Sequence, residues 1–181
     1  MSKMKLESFL EKCPLDLQKR IQGLKLVNQR PDFHPEGDVW IHTKIVFNRL
    51  AIFNDRSLLW AALFHDIGKD ITTKKNDKGV LQAIGHEEVS GDLVKVYGPQ
   101  INEIFEIDWV FVEEIVRNHM RIKQFDKMGL SKQLEMRRLK AFGYLQLFTD
   151  ADDMGSLTEQ ELLEACQTFQ IPFHDNRRST K

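Results

Sequence analysis

Apolar residues recur along this chain at spacings of three and four, and nowhere do they alternate over the length of a strand. A face that repeats about every 3.6 residues can be buried only as a helix, so this period restricts the fold more than any compositional figure. The chain reads as an all-α, single-domain protein. Leu17, Ile21, Leu24 and Val27 form one stripe behind Pro14 that ends near Asn28. Asp38 and Asp55 stand where N-caps belong, ahead of helices through Leu50 and over Arg56 to Ile67, the second stopped by Gly68. The polar, Lys-rich stretch from Asp70 to Gly85 reads as a surface loop. Helices are expected over His86 to Tyr97, ending at Gly98-Pro99, and over Asp108 to Met120, with a short piece at Ile101 to Phe105 between them. A long helix from Ser131 to Met154 follows, and Ser156-Leu-Thr-Glu159 is a capping box for a last one.

With 41% hydrophobic residues, twelve of them Phe, the 181 residues suffice for one core. A net charge of -1 argues against a DNA-wrapping or membrane-coating surface, so no stable DNA binding and no membrane partner are expected. Cys13 and Cys166 lie far apart without a CxxC or secreted-framework spacing, and both are read as thiols of a cytoplasmic protein. No signal peptide or spanning segment is evident.

The anomaly is in the histidines. Five of six lie between His34 and His119, and three sit on apolar helix faces. His42 has Val39, Ile45 and Val46 as its helical neighbours; His65 has Leu58, Ala61 and Ala62; His119 has Val112, Ile115 and Val116. Asp66 follows His65 directly. Among the late acids, Asp152 alone has an apolar face behind it, Phe148 and Leu145. Buried charges without partners are costly, so an interior holding His42, His65, Asp66, His119 and Asp152 calls for a cation. Imidazole with carboxylate and no thiolate fits manganese, iron, cobalt, nickel, magnesium or zinc, in an open rather than a closed structural site.

These residues fall in an order that resembles a known pattern. His42, His65-Asp66 and Asp152 match the H...HD...D signature of the HD-domain metal-dependent phosphohydrolases, and Phe64-His-Asp-Ile-Gly-Lys69 matches its central spelling. His34-Pro-Glu-Gly-Asp-Val-Trp-Ile-His42, Gly85-His-Glu87, Arg117-Asn-His-Met120 and Ala151-Asp-Asp-Met-Gly155 are similar to HD domains attached to bacterial tRNA nucleotidyltransferases, the CCA-adding enzymes. The resemblance covers residues 31–156, between an N-terminal helical flank (1–30) and a C-terminal helix and tail (157–181). A nucleotidyltransferase head and a Gly-Tyr-Pro extension are both absent, so CCA addition and cyclic-dinucleotide hydrolysis are not carried over.

The resemblance implies an HD-type helical bundle whose metal site lies between central helices. His42, His65, Asp66 and Asp152 would hold one divalent ion, and His86 and His119 a second, with Asp66 as the bridge. Hydroxide attack on phosphorus would be supported by Asp66 and Lys69 as catalytic residues. His34, Glu36, Lys69, Arg117 and Arg121 are the candidates for substrate contact, and Lys74, Lys75 and Lys78 could meet a nucleotide or RNA end. The implied function is a phosphomonoesterase or phosphodiesterase of nucleotides or nucleic-acid ends, such as 2',3'-cyclic or 2'-phosphates. The alternatives are a deoxynucleotide triphosphohydrolase or 5'-nucleotidase, and a noncatalytic module that binds RNA or a nucleotide.

Overall fold

The structure, a computed structural model, describes residues 5–153. It is a helical bundle, as the apolar period requires. Two short helices, α1 (Leu6–Leu10) and α2 (Leu15–Gly23), lead through a 3-10 turn and a loop to α3 (Val39–Leu50) and α4 (Arg56–Phe64). Then come α5 (Lys69–Thr72), the hairpin β1 (Lys74–Lys75) and β2 (Leu81–Gln82), and the long α6 (His86–Phe105) and α7 (Trp109–Ile122). The described chain closes with α8 (Leu130–Arg137) and α9 (Phe142–Asp152). The capping box at Ser156, the last helix, Cys166 and His174 lie outside the described residues.

Helix α4 is the axis of the core. Every residue from Leu58 to Ile67 is buried, and α3, α6 and α7 pack around it while α9 closes against α3 and α7. A helix apolar on all sides must be surrounded on all sides, which explains why four elements converge on the turn that follows it. The aromatic centre of this core, Phe9, Phe47, Trp60 and Phe105, joins α1 to α3, α4 and α6, with Phe9 and Phe105 stacked at 5.2 Å. Both expected caps form: the Asp38 carboxylate accepts from the Ile41 amide, and that of Asp55 from Ser57 and Leu58. Cys13 is a buried free thiol whose pKa burial pushes up to about 11.

Three expectations about the elements are corrected. The Asp70 to Gly85 segment is not all loop, since Lys74–Lys75 pair antiparallel with Leu81–Gln82 around a turn that Asn76 closes. Strands of two residues are too short to show alternation. Helix α6 does not stop at Gly98-Pro99 but runs on to Phe105. Gly98 lets the Trp109 side chain lie close against the helix, and Pro99 faces solvent, where water can serve the carbonyl one turn back. The long helix from Ser131 is broken into α8 and α9, because the Glu114 carboxylate of α7 accepts from the buried Ala141 amide and anchors the chain where it turns.

Gly68 fixes how closely α6 approaches the turn after α4. Its amide donates to the Ser90 hydroxyl at 2.9 Å, and a Cβ there would stand 2.6 Å from the carbonyl oxygen of His86. Gly68→Ala should therefore force the start of α6 away, at a cost of about 1–3 kcal/mol, the usual range for an overpacked site. Urea denaturation of the two proteins checks this; an unchanged midpoint would show that the close approach is not required.

Candidate metal centre

Four helices and the turn after α4 deliver nitrogen and oxygen donors to one buried point. His42 comes from α3, His65 and Asp66 from the turn after α4, His86 from the first residue of α6, His119 from the last turns of α7 and Asp152 from the end of α9. All six are buried. His42 Nε2 lies 2.9 Å from Asp152 Oδ1 and 3.7 Å from Asp66 Oδ2. His65 Nε2 is 3.3 Å from each of the same two carboxylates. On the far side of Asp66, its Oδ1 is 3.1 Å from His86 Nε2, which is itself 3.3 Å from His119 Nε2. The donors form two triads compatible with an ion, His42–His65–Asp66 and Asp66–His86–His119, which share Asp66.

The outer nitrogens of these rings are already committed. His65 Nδ1 donates to the Ala62 carbonyl at 2.9 Å, His86 Nδ1 to Ala83 at 2.8 Å and His119 Nδ1 to Val116 at 2.7 Å. A carbonyl only accepts, so each Nδ1 carries the hydrogen and each Nε2 is directed inward. His42 Nδ1 is held at 2.9 Å by Glu36 Oε1, which also meets His34 Nδ1 at 3.0 Å. This is a carboxylate–imidazole arrangement of the kind that orients metal ligands.

The donor set passes the test of fit for a divalent cation. His65 Nε2 and Asp66 Oδ1 are fully buried and lack a hydrogen-bond partner, although oppositely charged groups lie within ion-pair distance. Burial alone would drive His65 neutral, yet the adjacent Asp66 and Asp152 raise its pKa to about 10. The two carboxylates thus draw positive charge onto whatever faces them. Burial opposes their ionisation, but Lys69 and His65 hold Asp66, and His42 and His65 hold Asp152, well below the usual carboxylate range. His119 behaves oppositely. Burial pushes it down to about 3, leaving the neutral imidazole that a metal needs.

Asp66, His86, His119 and Asp152 form part of the wall of a cavity of about 540 Å³, lined also by His34, Lys69 and Lys123. Lys69, expected as a substrate-contacting cation, is buried with Nζ 2.7 Å from Asp66 Oδ2 and 2.7 Å from Gln29 Oε1. Lys123 and Gln29 were not anticipated. Lys123 Nζ sits 3.1 Å from Asp152 Oδ2 and 2.6 Å from Asp153 Oδ1. Its signal was present in the sequence, since Lys123 is one helical turn beyond His119 and shares its face. Gln29, in an irregular segment, gave none.

Arg117 and Arg121 are two residues either side of His119, about 200° round the helix, and neither lines the cavity. The Arg117 guanidinium lies across Gly91 and meets Glu88, Asp92 and Glu113 at 2.6–2.7 Å. Arg121 donates to Asn118. Lys74, Lys75 and Lys78 are exposed on the hairpin, while Leu81 and Gln82 supply its contribution to the cavity wall. Glu36, with its side chain nearly covered, touches His34 and His42 and does not line the cavity.

Two shared triads give a stoichiometric expectation. Protein exchanged into manganese should carry two ions per chain by elemental analysis, falling to about one in His119→Ala and to none in Asp66→Ala. One ion in the parent, unaltered by His119→Ala, would leave the second triad without a role. Glu36→Gln should weaken metal binding about 10–100-fold without removing a donor, the range seen when a ligand's orienting partner is lost. Competition against a chromogenic chelator measures this, and an unchanged affinity would reduce Glu36 to a loop contact.

Comparison with known proteins agrees with this geometry. The HD domain family matches residues 39–166. The multifunctional CCA protein of Paraburkholderia phymatum is 30% identical over 152 residues, covering 81% of this chain and 32% of that protein. The multifunctional CCA protein of Burkholderia pseudomallei strain K96243 is 32% identical over 146 residues, covering 76% and 34%. The chain spans about a third of the length of the curated relatives it matches. No solved structure matches it. With the family match over most of the chain and donors from four elements gathered on His65-Asp66, the chain belongs to the HD domain family, in the metal-dependent phosphohydrolase superfamily.

Proposed function

We propose that this protein is a metal-dependent phosphohydrolase of nucleotides or nucleic-acid ends, with 2',3'-cyclic phosphates and 2'-phosphates as its leading substrates. The observation that carries this reading is the convergence of two donor triads on one carboxylate, Asp66, in the wall of an open cavity. His42, His65, Asp66 and Asp152 would hold one divalent ion and Asp66, His86 and His119 a second. A divalent ion bound there lowers the pKa of water from about 15.7 toward about 7 and polarises a phosphoryl oxygen.

The remaining work falls to the chain's own residues. Lys69 and Lys123 each place an ammonium on the cavity wall beside a buried carboxylate, Asp66 and Asp152 respectively. Both can turn to the non-bridging oxygens of a phosphate and offset the charge that grows there during transfer. Glu36 and the backbone carbonyls of Ala62, Ala83 and Val116 hold the imidazoles in position, so little has to reorganise when substrate arrives. Support for a nucleotide or RNA end comes from the similarity to multifunctional CCA proteins and from motifs that resemble the HD domains of tRNA nucleotidyltransferases.

The experiment is phosphate release, or ring opening, from 2',3'-cyclic, 2'-, 3'- and 5'-nucleotides and deoxynucleoside triphosphates with manganese, cobalt, nickel or magnesium. Activity on a cyclic or 2'-phosphate that disappears in Asp66→Ala is the expected result. Lys123→Ala should raise KM about tenfold or more, the worth of one charge-assisted hydrogen bond, while Arg117→Ala changes kcat/KM by less than about twofold. Hydrolysis of triphosphates alone would move the assignment to a deoxynucleotide triphosphohydrolase, and silence with every metal would move it to a binding module.

A further inference from the structure

The cavity is larger than phosphate chemistry needs. At about 540 Å³ it falls in the range of sites that enclose whole small molecules. Its wall changes character away from the donors. Phe33, Ile84 and Met120 all line it, each one or two residues from a histidine of the site, and they are 63%, 76% and 40% exposed. Three large apolar side chains left open to water around one cavity mark a binding surface more than scattered exposure would.

One of these side chains is prepared as a flat platform. The Arg30 guanidinium carbon lies 4.6 Å from the centre of the Phe33 ring. Arg30 is in turn paired with the Asp32 carboxylate, to which its Nε donates at 3.1 Å, with a second contact through Nη2. The turn is tied by the Phe33 and His34 amides, which donate to the Arg30 carbonyl at 3.1 and 2.8 Å. The backbone turn that presents the ring is therefore tied before any ligand arrives, with the Arg30 guanidinium against one face of the ring, and the same turn carries His34 into the cavity wall.

A second, independent feature points to a ligand. Gln29 lines the same cavity, is only 8% exposed, and its Nε2 is buried with no hydrogen-bond partner. Its Oε1 accepts from the Lys69 ammonium, which can only donate, so the orientation of the amide is set and its N–H groups are the ones left over. A buried donor without an acceptor is costly, and an oxygen of a bound molecule would satisfy it.

We infer that the outer part of this cavity is a nucleoside subsite: the base stacks on Phe33, backed by Arg30, with Ile84 and Met120 as further apolar walls, while Gln29 donates to an oxygen of the same nucleoside. The inference rests on the reading of the donor cluster as a phosphate-ester site, and it names what the ester carries. A base supplies the flat π-face that an aromatic platform takes without sequence preference, and ribose or a base carbonyl supplies the acceptor. An aliphatic phosphate ester would use the apolar walls but gain nothing from an Arg-backed ring.

Calorimetric titration of the manganese-loaded full chain tests this with the 2'-, 3'- and 5'-monophosphates of the four common nucleosides against ribose 5-phosphate, each followed by a phosphate assay of the cell contents. At least one nucleotide should bind about tenfold or more tightly than ribose 5-phosphate, the gain typical of one stacked base. Phe33→Ala should bring that margin to within about twofold while ribose 5-phosphate binds as before, and Phe33→Trp should restore it. Equal binding of nucleotide and ribose 5-phosphate by the parent protein would overturn the subsite, as would an equal loss for both in Phe33→Ala. A base-dependent margin with no phosphate released by any of them would leave the subsite standing and remove the phosphomonoesterase reading instead.

Discussion

The burial of Asp66 is the constraint on which the rest of this structure depends. A carboxylate removed from water in an apolar core is among the most expensive groups a fold can hold, and it is tolerated only when positive or hydrogen-bonding partners surround it. Here those partners come from several directions: Lys69 from the helix that follows, His65 from the preceding residue, His42 from α3 and His86 from α6. His42 and His86 must be delivered by separately packed helices, and the apolar body of α4 provides the surface on which those helices meet. Core and site are therefore one construction, since the packing that buries Leu58 to Ile67 also sets the distances around Asp66.

The surrounding bonds divide the labour between strength and direction. Backbone carbonyls and Glu36 take the outer nitrogens of four imidazoles, leaving the inner nitrogens to converge on the buried carboxylates. That arrangement is rigid because these carbonyls belong to the backbone of α4, α7 and the turn into α6. The cations follow a different rule. Lys69 and Lys123 rest on the carboxylates of the site but end flexible stems, whereas Arg117 is locked among three acidic side chains and works as a strut between α6 and α7. Flexible ammonium groups suit an incoming phosphate, and a saturated guanidinium does not.

Away from the donors the site becomes apolar, and in the proposed function this gradient would separate reaction from recognition. The charged wall would supply the electrostatic environment for phosphorus chemistry, and the Arg30–Phe33 turn with Ile84 and Met120 the area and flatness for a base. Both halves are tied together through the loop that carries Gln29, Arg30, Phe33, His34 and Glu36. A change at Glu36 is thus expected to be felt at His42, and a change at Phe33 is not.

The sequence by itself determined the helical class, the caps at Asp38 and Asp55, and four donors, His42, His65, His119 and Asp152, whose apolar neighbours placed them inward, because helical periodicity and local capping are properties of adjacent residues. It also determined the family, through motifs in a fixed order. Periodicity could have separated Lys123 from Arg117 as well, since a residue four beyond His119 shares its face and one two before it does not. What only the tertiary structure decided is that Gln29 and the Arg30–Phe33 turn belong to the same cavity, and that α6 survives its proline while the chain breaks before Ala141. These depend on contacts between residues tens of positions apart, such as Gln29 with Lys69, Gly98 with Trp109 and Glu114 with Ala141. No local pattern encodes such contacts, because they exist only once the faces of separate helices have been packed together.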